Sequence, residues 1–155
     1  MCFFSFKNIC LKNNKDLENF DKISFFSLEG KIFKCRVVDV YDGDTLTVIF
    51  KYKREWNKWK IRMLGYDTPE IRQPRDDPLR EEKKFRAVIA KEYLIDLLNQ
   101  KGKKLYIKCG KFDKYGRLLG ELFYSKSDIK RGESINKTMI DSQYAVPYDG
   151  KCKKR

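Results

Sequence analysis

The chain has 155 residues, 41% of them hydrophobic and 14% aromatic. That is enough for one domain that folds without a disulfide or metal staple. Its 35 Lys+Arg against 22 Asp+Glu leave a net charge of +13, a self-repulsion whose usual counterpart is a polyanionic partner. The histidine count is 0, which excludes Ser-His-Asp and Cys-His triads, zinc deaminases and two-histidine ribonucleases.

Residues 1–30 balance Lys7, Lys12, Lys15 and Lys22 against Asp16, Glu18, Asp21 and Glu29. They read as a neutral N-terminal extension, and the whole positive charge belongs to residues 31–155. The start lacks a basic n-region, and no run approaches the ~20 apolar residues of a membrane span. A soluble, intracellular protein is expected, with acylation at Cys2 a lesser alternative to a loose arm. Cysteines 2, 10, 35, 109 and 152 form no CxxC pair and total an odd 5, against a zinc module or a closed disulfide framework.

After Gly30, Ile32 to Tyr41 and Thr45 to Lys53 read as strands rich in Val, Ile, Thr and Phe. The turn Asp42-Gly43-Asp44 joins them, with Gly43 expected at positive φ. A long loop, Lys51 to Lys60, carries Trp56 and Trp59 among basic residues. It is either a base-stacking surface or a hairpin tip packed on the fold. A third strand, Lys58 to Gly65, runs into Tyr66-Asp67-Thr68-Pro69-Glu70. In the charged loop Arg72 to Arg80, Asp76 and Asp77 either modulate a metal site or cap the helix that follows. That helix starts near Asp77-Pro78, with Ala90, Leu94, Leu97 and Leu98 on its apolar stripe and Phe85 and Ile89 widening it. Lys103 to Cys109 and Arg117 to Tyr124 give two more strands, and a short helix follows Ser134. Residues 151–155 are a basic tail. Five strands with a helix between the third and fourth is the layout of an OB-type barrel, so a mainly β fold with helices (α+β) is expected over residues 31–150.

Three segments combine charge with backbone punctuation: Asp42-Gly43-Asp44-Thr45, Arg62 through Glu70, and Asp113-Lys114-Tyr115-Gly116-Arg117. Carboxylates on a basic chain without histidine suggest a hard cation held through oxygen, and two arginines facing one anion suit a phosphate. Each segment taken singly also reads as ordinary turn chemistry.

Taken jointly, Asp42-Gly43-Asp44-Thr45, Ile61-Arg62-Met63-Leu64-Gly65-Tyr66-Asp67-Thr68-Pro69-Glu70 and Asp113-Lys114-Tyr115-Gly116-Arg117 resemble the staphylococcal (micrococcal) nuclease, or thermonuclease-like, family over about residues 31–150. The resemblance implies Ca²⁺ on the Asp44 and Asp67 carboxylates and the Thr68 carbonyl. It implies Arg62 and Arg117 as phosphate-gripping catalytic arginines, and Glu70 as the residue that positions or deprotonates the attacking water. Lys114 and Tyr115 match a pair at a neighbouring phosphate, and Tyr144 or Tyr148 a tyrosine near the substrate. It further implies a monomeric nuclease of low sequence specificity on DNA and RNA, single strands preferred, leaving 3′-phosphate ends. Family members often continue into another helix where this sequence ends at Arg155, a packing role the neutral arm would take. A non-catalytic nucleic-acid-binding OB module is the main alternative and an interaction scaffold the weaker one. Both leave Arg62, Glu70 and Arg117 together unexplained.

Overall fold

The computed structural model describes residues 22–100 and 104–150, so the tail, Cys2 and residues 1–21 of the neutral arm lie outside the described residues. In chain order the elements are β1 (Ile32–Val40), β2 (Thr45–Tyr52), β3 (Glu55–Met63), β4 (Tyr66–Asp67), α1 (Arg80–Asn99), β5 (Leu105–Phe112), β6 (Leu118–Phe123), α2 (Lys126–Arg131), α3 (Ile135–Asp141) and β7 (Val146–Pro147). Five strands close a barrel in the order β1-β2-β3-β6-β5, while β4 and β7 form a separate two-stranded patch. Only β3 and β6 pair in parallel; the other barrel pairs are antiparallel. This is the expected five-stranded OB-type barrel.

Period-two alternation builds the barrel. Leu46, Val48 and Phe50 of β2 point inward, as do Ile61 and Met63 of β3, all 1% exposed or less. Phe50 stacks on Trp59 at 5.1 Å and on Phe33 at 4.5 Å, which fills the end of the barrel away from the site. Ala87, Ala90, Leu94, Leu97 and Leu98 of α1 are buried, so the expected stripe is real. Phe85 is not part of it and is 67% exposed, because its position falls outside the arc that faces the sheet. Cys35 and Cys109 are buried free thiols, and burial pushes both up to about 12. Among the described residues no helix is long and apolar enough to cross a membrane.

The long loop expected from Lys51 to Lys60 is instead a tight hairpin, with β2 and β3 paired from Thr45↔Arg62 to Tyr52↔Glu55. Lys53 and Arg54 turn the chain at φ 48° and 71°, the doubly positive geometry of a two-residue hairpin, usually written with Asn and Gly. α1 begins at Arg80, slightly later than expected, and its N-cap is Leu79, without a side-chain cap, rather than Asp77. Asp77 stands in the turn before it, where its Oδ1 accepts from the Leu79 N–H at 2.9 Å and its Oδ2 pairs with Lys83 at 2.6 Å. α3 follows Ser134, whose hydroxyl accepts from the Lys137 N–H at 3.1 Å. Asn136 of α3 is 3% exposed and fastens that helix to the barrel. It accepts from the Leu122 N–H at 3.0 Å and donates to the Leu64 and Gly120 carbonyls at 2.9 and 3.1 Å.

Candidate active site

The β1–β2 turn is built to present one carboxylate. Asp42 Oδ1 accepts from the backbone N–H of Asp44 at 3.1 Å and of Thr45 at 2.7 Å, an Asx turn that fixes the Asp44 backbone. Gly43 is needed for space rather than for positive φ. A Cβ there would sit 2.8 Å from Thr68 Cγ2 and 3.1 Å from Ala90 Cβ. Its carbonyl accepts from the buried Tyr66 hydroxyl at 2.8 Å, which ties the turn to β4.

Asp44, 3% exposed, then meets four donors. Its Oδ2 accepts from Thr68 N and Thr68 Oγ1, both at 3.0 Å, and ion-pairs with Arg62 Nη1. Its Oδ1 accepts from Thr45 Oγ1 at 3.0 Å. Arg62 faces outward on β3 opposite Thr45, and its Nη2 reaches Asp67 Oδ1 at 2.5 Å. One guanidinium therefore spans both carboxylates. Burial works against charge on Arg62, but Asp44 and then Asp67 outweigh it and hold the group above its ordinary value.

Arg117 arrives from the turn that opens β6. Gly116 takes φ 77° there, and Asp113 accepts from Arg117 Nε at 2.7 Å and from its N–H at 2.9 Å. Arg117 Nη1 lies 3.5 Å from Thr45 Oγ1, which places it beside Asp44's own neighbour. Lys114 and Arg117 both lie over the Tyr115 ring, 5.0 and 5.5 Å from its centre, and that ring is 72% exposed. Glu70 stands in the field of these groups. Burial and the Asp44 charge raise its carboxyl above the ordinary value, against the pull of Arg62. Burial and Asp44 likewise push Asp42 up to about 6.

The structure thus joins Asp44, Arg62, Asp67 and Thr68 by direct contacts and links Arg117 to them through Thr45. The two tyrosines flank β4 instead. Tyr144 stacks on Tyr93 at 4.0 Å and lines a groove of about 520 Å³ with Asp67, Thr68, Arg86 and Ile89. Tyr148 donates its N–H to Gly65 at 3.0 Å. Asp42, Tyr66 and Asn136 are positioning residues that the motif reading did not single out. An Asp-Gly-Asp-Thr string carries the signal for Asp42, whereas nothing local to Asn136 points to the strand it binds.

The donor set fits a hard cation. It consists of oxygen ligands only, with Asp44 and Asp67 held within the span of one guanidinium and the buried Thr68 beside them. Among the described residues no trio of acids forms a cage by itself. A cation would therefore rest on these two carboxylates, a Thr68 oxygen, water and substrate oxygens.

Barrel topology and site together define an OB-type barrel that carries two arginines and a carboxylate pair at one end. The staphylococcal nuclease homologue family model matches residues 60–155, and the chain belongs to that family of nucleases. β1 and β2, with Asp42 and Asp44, precede the matched stretch yet complete the barrel and the site. A Haemophilus influenzae protein described as an uncharacterized endonuclease is 36% identical over 95 residues, 61% of this chain and 44% of that protein. The chain thus spans less than half the length of that relative.

Proposed function

We propose that this protein is a calcium-dependent nuclease that hydrolyses phosphodiester bonds of DNA and RNA with little sequence specificity. The single observation that carries the reading is Arg62, which bridges Asp44 and Asp67 while Arg117 lies 3.5 Å from the intervening Thr45. Two guanidiniums on the outer surface of one barrel end suit the non-bridging oxygens of one phosphate. In hydrolysis those oxygens gain negative charge, so donors aimed at them stabilise the transition state more than the ground state. Glu70 orients the attacking water and takes its proton, a role consistent with a carboxyl raised by burial and Asp44. The water oxygen bonds to phosphorus as the 5′-oxygen leaves, so the phosphate stays on the 3′ side. A calcium ion held by Asp44, Asp67 and the Thr68 carbonyl would add charge stabilisation at the same oxygens. Contacts of this kind read phosphate and not base edges, which accounts for low specificity.

Cleavage of single-stranded DNA at low salt, with Ca²⁺ and with excess chelator, tests the reading. Arg117→Ala is the better contamination control, because Arg62 is the more enclosed counter-charge of Asp44, with its side chain 13% exposed against 29% for Arg117. Calcium-dependent cleavage that disappears in Arg117→Ala is expected. Tight binding without cleavage under every metal tried would make the protein a nucleic-acid-binding OB module instead.

A further inference from the structure

The outward face of β3 carries a feature that the cleavage site does not use. Inward positions hold Ile61 and the half-buried Trp59, so Arg62, Lys60, Lys58 and Trp56 all project outward in one row. Their partners on β2 are Thr45, Thr47, Ile49 and Lys51. On β1, Arg36 lies opposite Ile49, with Lys34 two positions along on the same face. Trp56 is 64% exposed and Lys51 Nζ lies 5.3 Å from its ring centre, whereas the half-buried Trp59 stacks on the core residue Phe50. A groove of about 480 Å³ is lined here by Lys34, Arg36, Ile49, Lys51, Trp56 and Lys104.

A solvated basic face would account for lysines alone. It does not account for a tryptophan left on the surface inside a regular strand, nor for a row without acids between its ends. Asp39 and Glu55 sit at strand ends, and Lys34, Arg36, Lys51, Lys58, Lys60 and Lys104 form no ion pair with any described residue. Strand geometry sets the row's spacing: outward residues recur every ~6.7 Å, so the row runs roughly 20 Å from Arg62 to Trp56. That repeat suits successive phosphates of an extended single strand, and an exposed indole suits an unpaired base.

We infer that this face is a track for single-stranded nucleic acid continuing out of the cleavage site. Lys60 and Lys58 hold successive phosphates, and Trp56, with Lys51 behind it, stacks a base in the adjoining groove. The track rests on the nuclease reading only for which polymer enters it.

The test is fluorescence anisotropy with an oligothymidylate of about 20 nucleotides, longer than the roughly 4–16 that an OB fold covers, in excess chelator so that nothing is cut. Trp56→Ala is expected to weaken binding at least about fivefold, and Trp56→Phe to restore most of it. The Lys58→Ala/Lys60→Ala double variant should lower the slope of log K against log salt by about 1.4, or ~0.7 per phosphate contact on a single strand. Turnover of a dinucleotide, too short to reach Trp56, should be unchanged in all three. The track is refuted if both sets of variants bind like the wild type. It is equally refuted if duplex DNA depends on Trp56 as strongly, or if dinucleotide turnover falls in step with oligonucleotide binding. Trp56-dependent binding by a protein that cuts nothing would leave the track standing and overturn the catalytic reading; cleavage without Trp56 dependence would do the reverse.

Discussion

Gly43→Ala probes the point where fold and site meet. The added Cβ would lie 2.8 Å from Thr68 Cγ2, 2.9 Å from Thr68 Oγ1 and 3.1 Å from Ala90 Cβ. Neither neighbour yields easily. Thr68 is β-branched, 6% exposed and bound to Asp44 through both its N–H and its hydroxyl at 3.0 Å, while Ala90 is 1% exposed on a packed helix. Overpacking of this kind costs about 1–3 kcal/mol, which in a chain of this size lowers Tm by roughly 3–12 °C. Thermal and urea denaturation followed by circular dichroism would measure it. Thr68→Ser removes Cγ2, the nearest obstacle, so the Gly43→Ala cost should shrink in that background with a coupling above ~0.5 kcal/mol. Cleavage should fall further than the folded fraction does, because a displaced Thr68 releases Asp44. An unchanged Tm, or the same loss with and without the Thr68 methyl, would refute the steric account.

Glu70→Gln and Arg117→Ala should each lower cleavage by on the order of 10²–10³ while Tm stays close to wild type; full rate in both would sink the role assignment. Asn136→Leu leaves the Leu122 N–H and the Leu64 carbonyl without their partner, at about 1–3 kcal/mol for each stranded group, while the Gly120 carbonyl keeps the Leu64 N–H; a urea midpoint equal to wild type would contradict this. Asp42→Asn keeps the Oδ1 acceptor of the Asx turn and removes the charge beside Asp44. Because Asp42 is pushed up to about 6 in the folded chain, wild type holds its extra stability while that carboxyl is protonated and loses it as pH rises through that value. Measured in chelator, the variant should therefore gain on wild type between about pH 4 and about pH 7; a flat difference would disprove the shift. Iodoacetamide at mildly alkaline pH should leave Cys35 and Cys109 unmodified in the folded protein, as peptide mapping would show, since both thiols are pushed up to about 12.

Much of this architecture is local and therefore readable along the chain. β1, β2 and the buried stripe of α1 follow alternation and helical spacing, and Ser134 marks the start of α3. The hairpin at Lys53-Arg54 was hidden because two long cationic residues occupy left-handed positions that normally advertise themselves as Asn-Gly. The first residues of β3, Glu55–Asn57, consequently read as part of a loop, although Trp56 and Trp59 fall on opposite faces of one strand. α2 spans only Lys126–Arg131, too short and too polar to show a period, and only its Ser125 cap and the left-handed Gly132 define it. In the site, residues three to five apart declare themselves through turn chemistry. The contacts of Asn136 with Leu122, Gly120 and Leu64 cross 14, 16 and 72 positions and leave no periodic trace.

Charge explains why such a site belongs on so basic a protein. The chain carries +13 overall, yet its site gathers Asp42, Asp44, Asp67, Glu70 and Asp113 around Arg62 and Arg117. In the proposed reaction a polyanion would be drawn in by the surrounding lysines and then meet a local surplus of carboxylate, which by itself repels phosphate. Folding has already spent the two arginines on acids: Arg62 on Asp44 and Asp67, Arg117 on Asp113. Asp42 and Glu70 hold their protons more tightly than usual, through burial first and the Asp44 charge second. Further positive charge at Asp44 and Asp67 would compete with Arg62 for those carboxylates and leave its guanidinium freer to turn toward substrate oxygens. In the proposed reaction a divalent cation on those two carboxylates would offset the local surplus of negative charge where substrate phosphate has to sit.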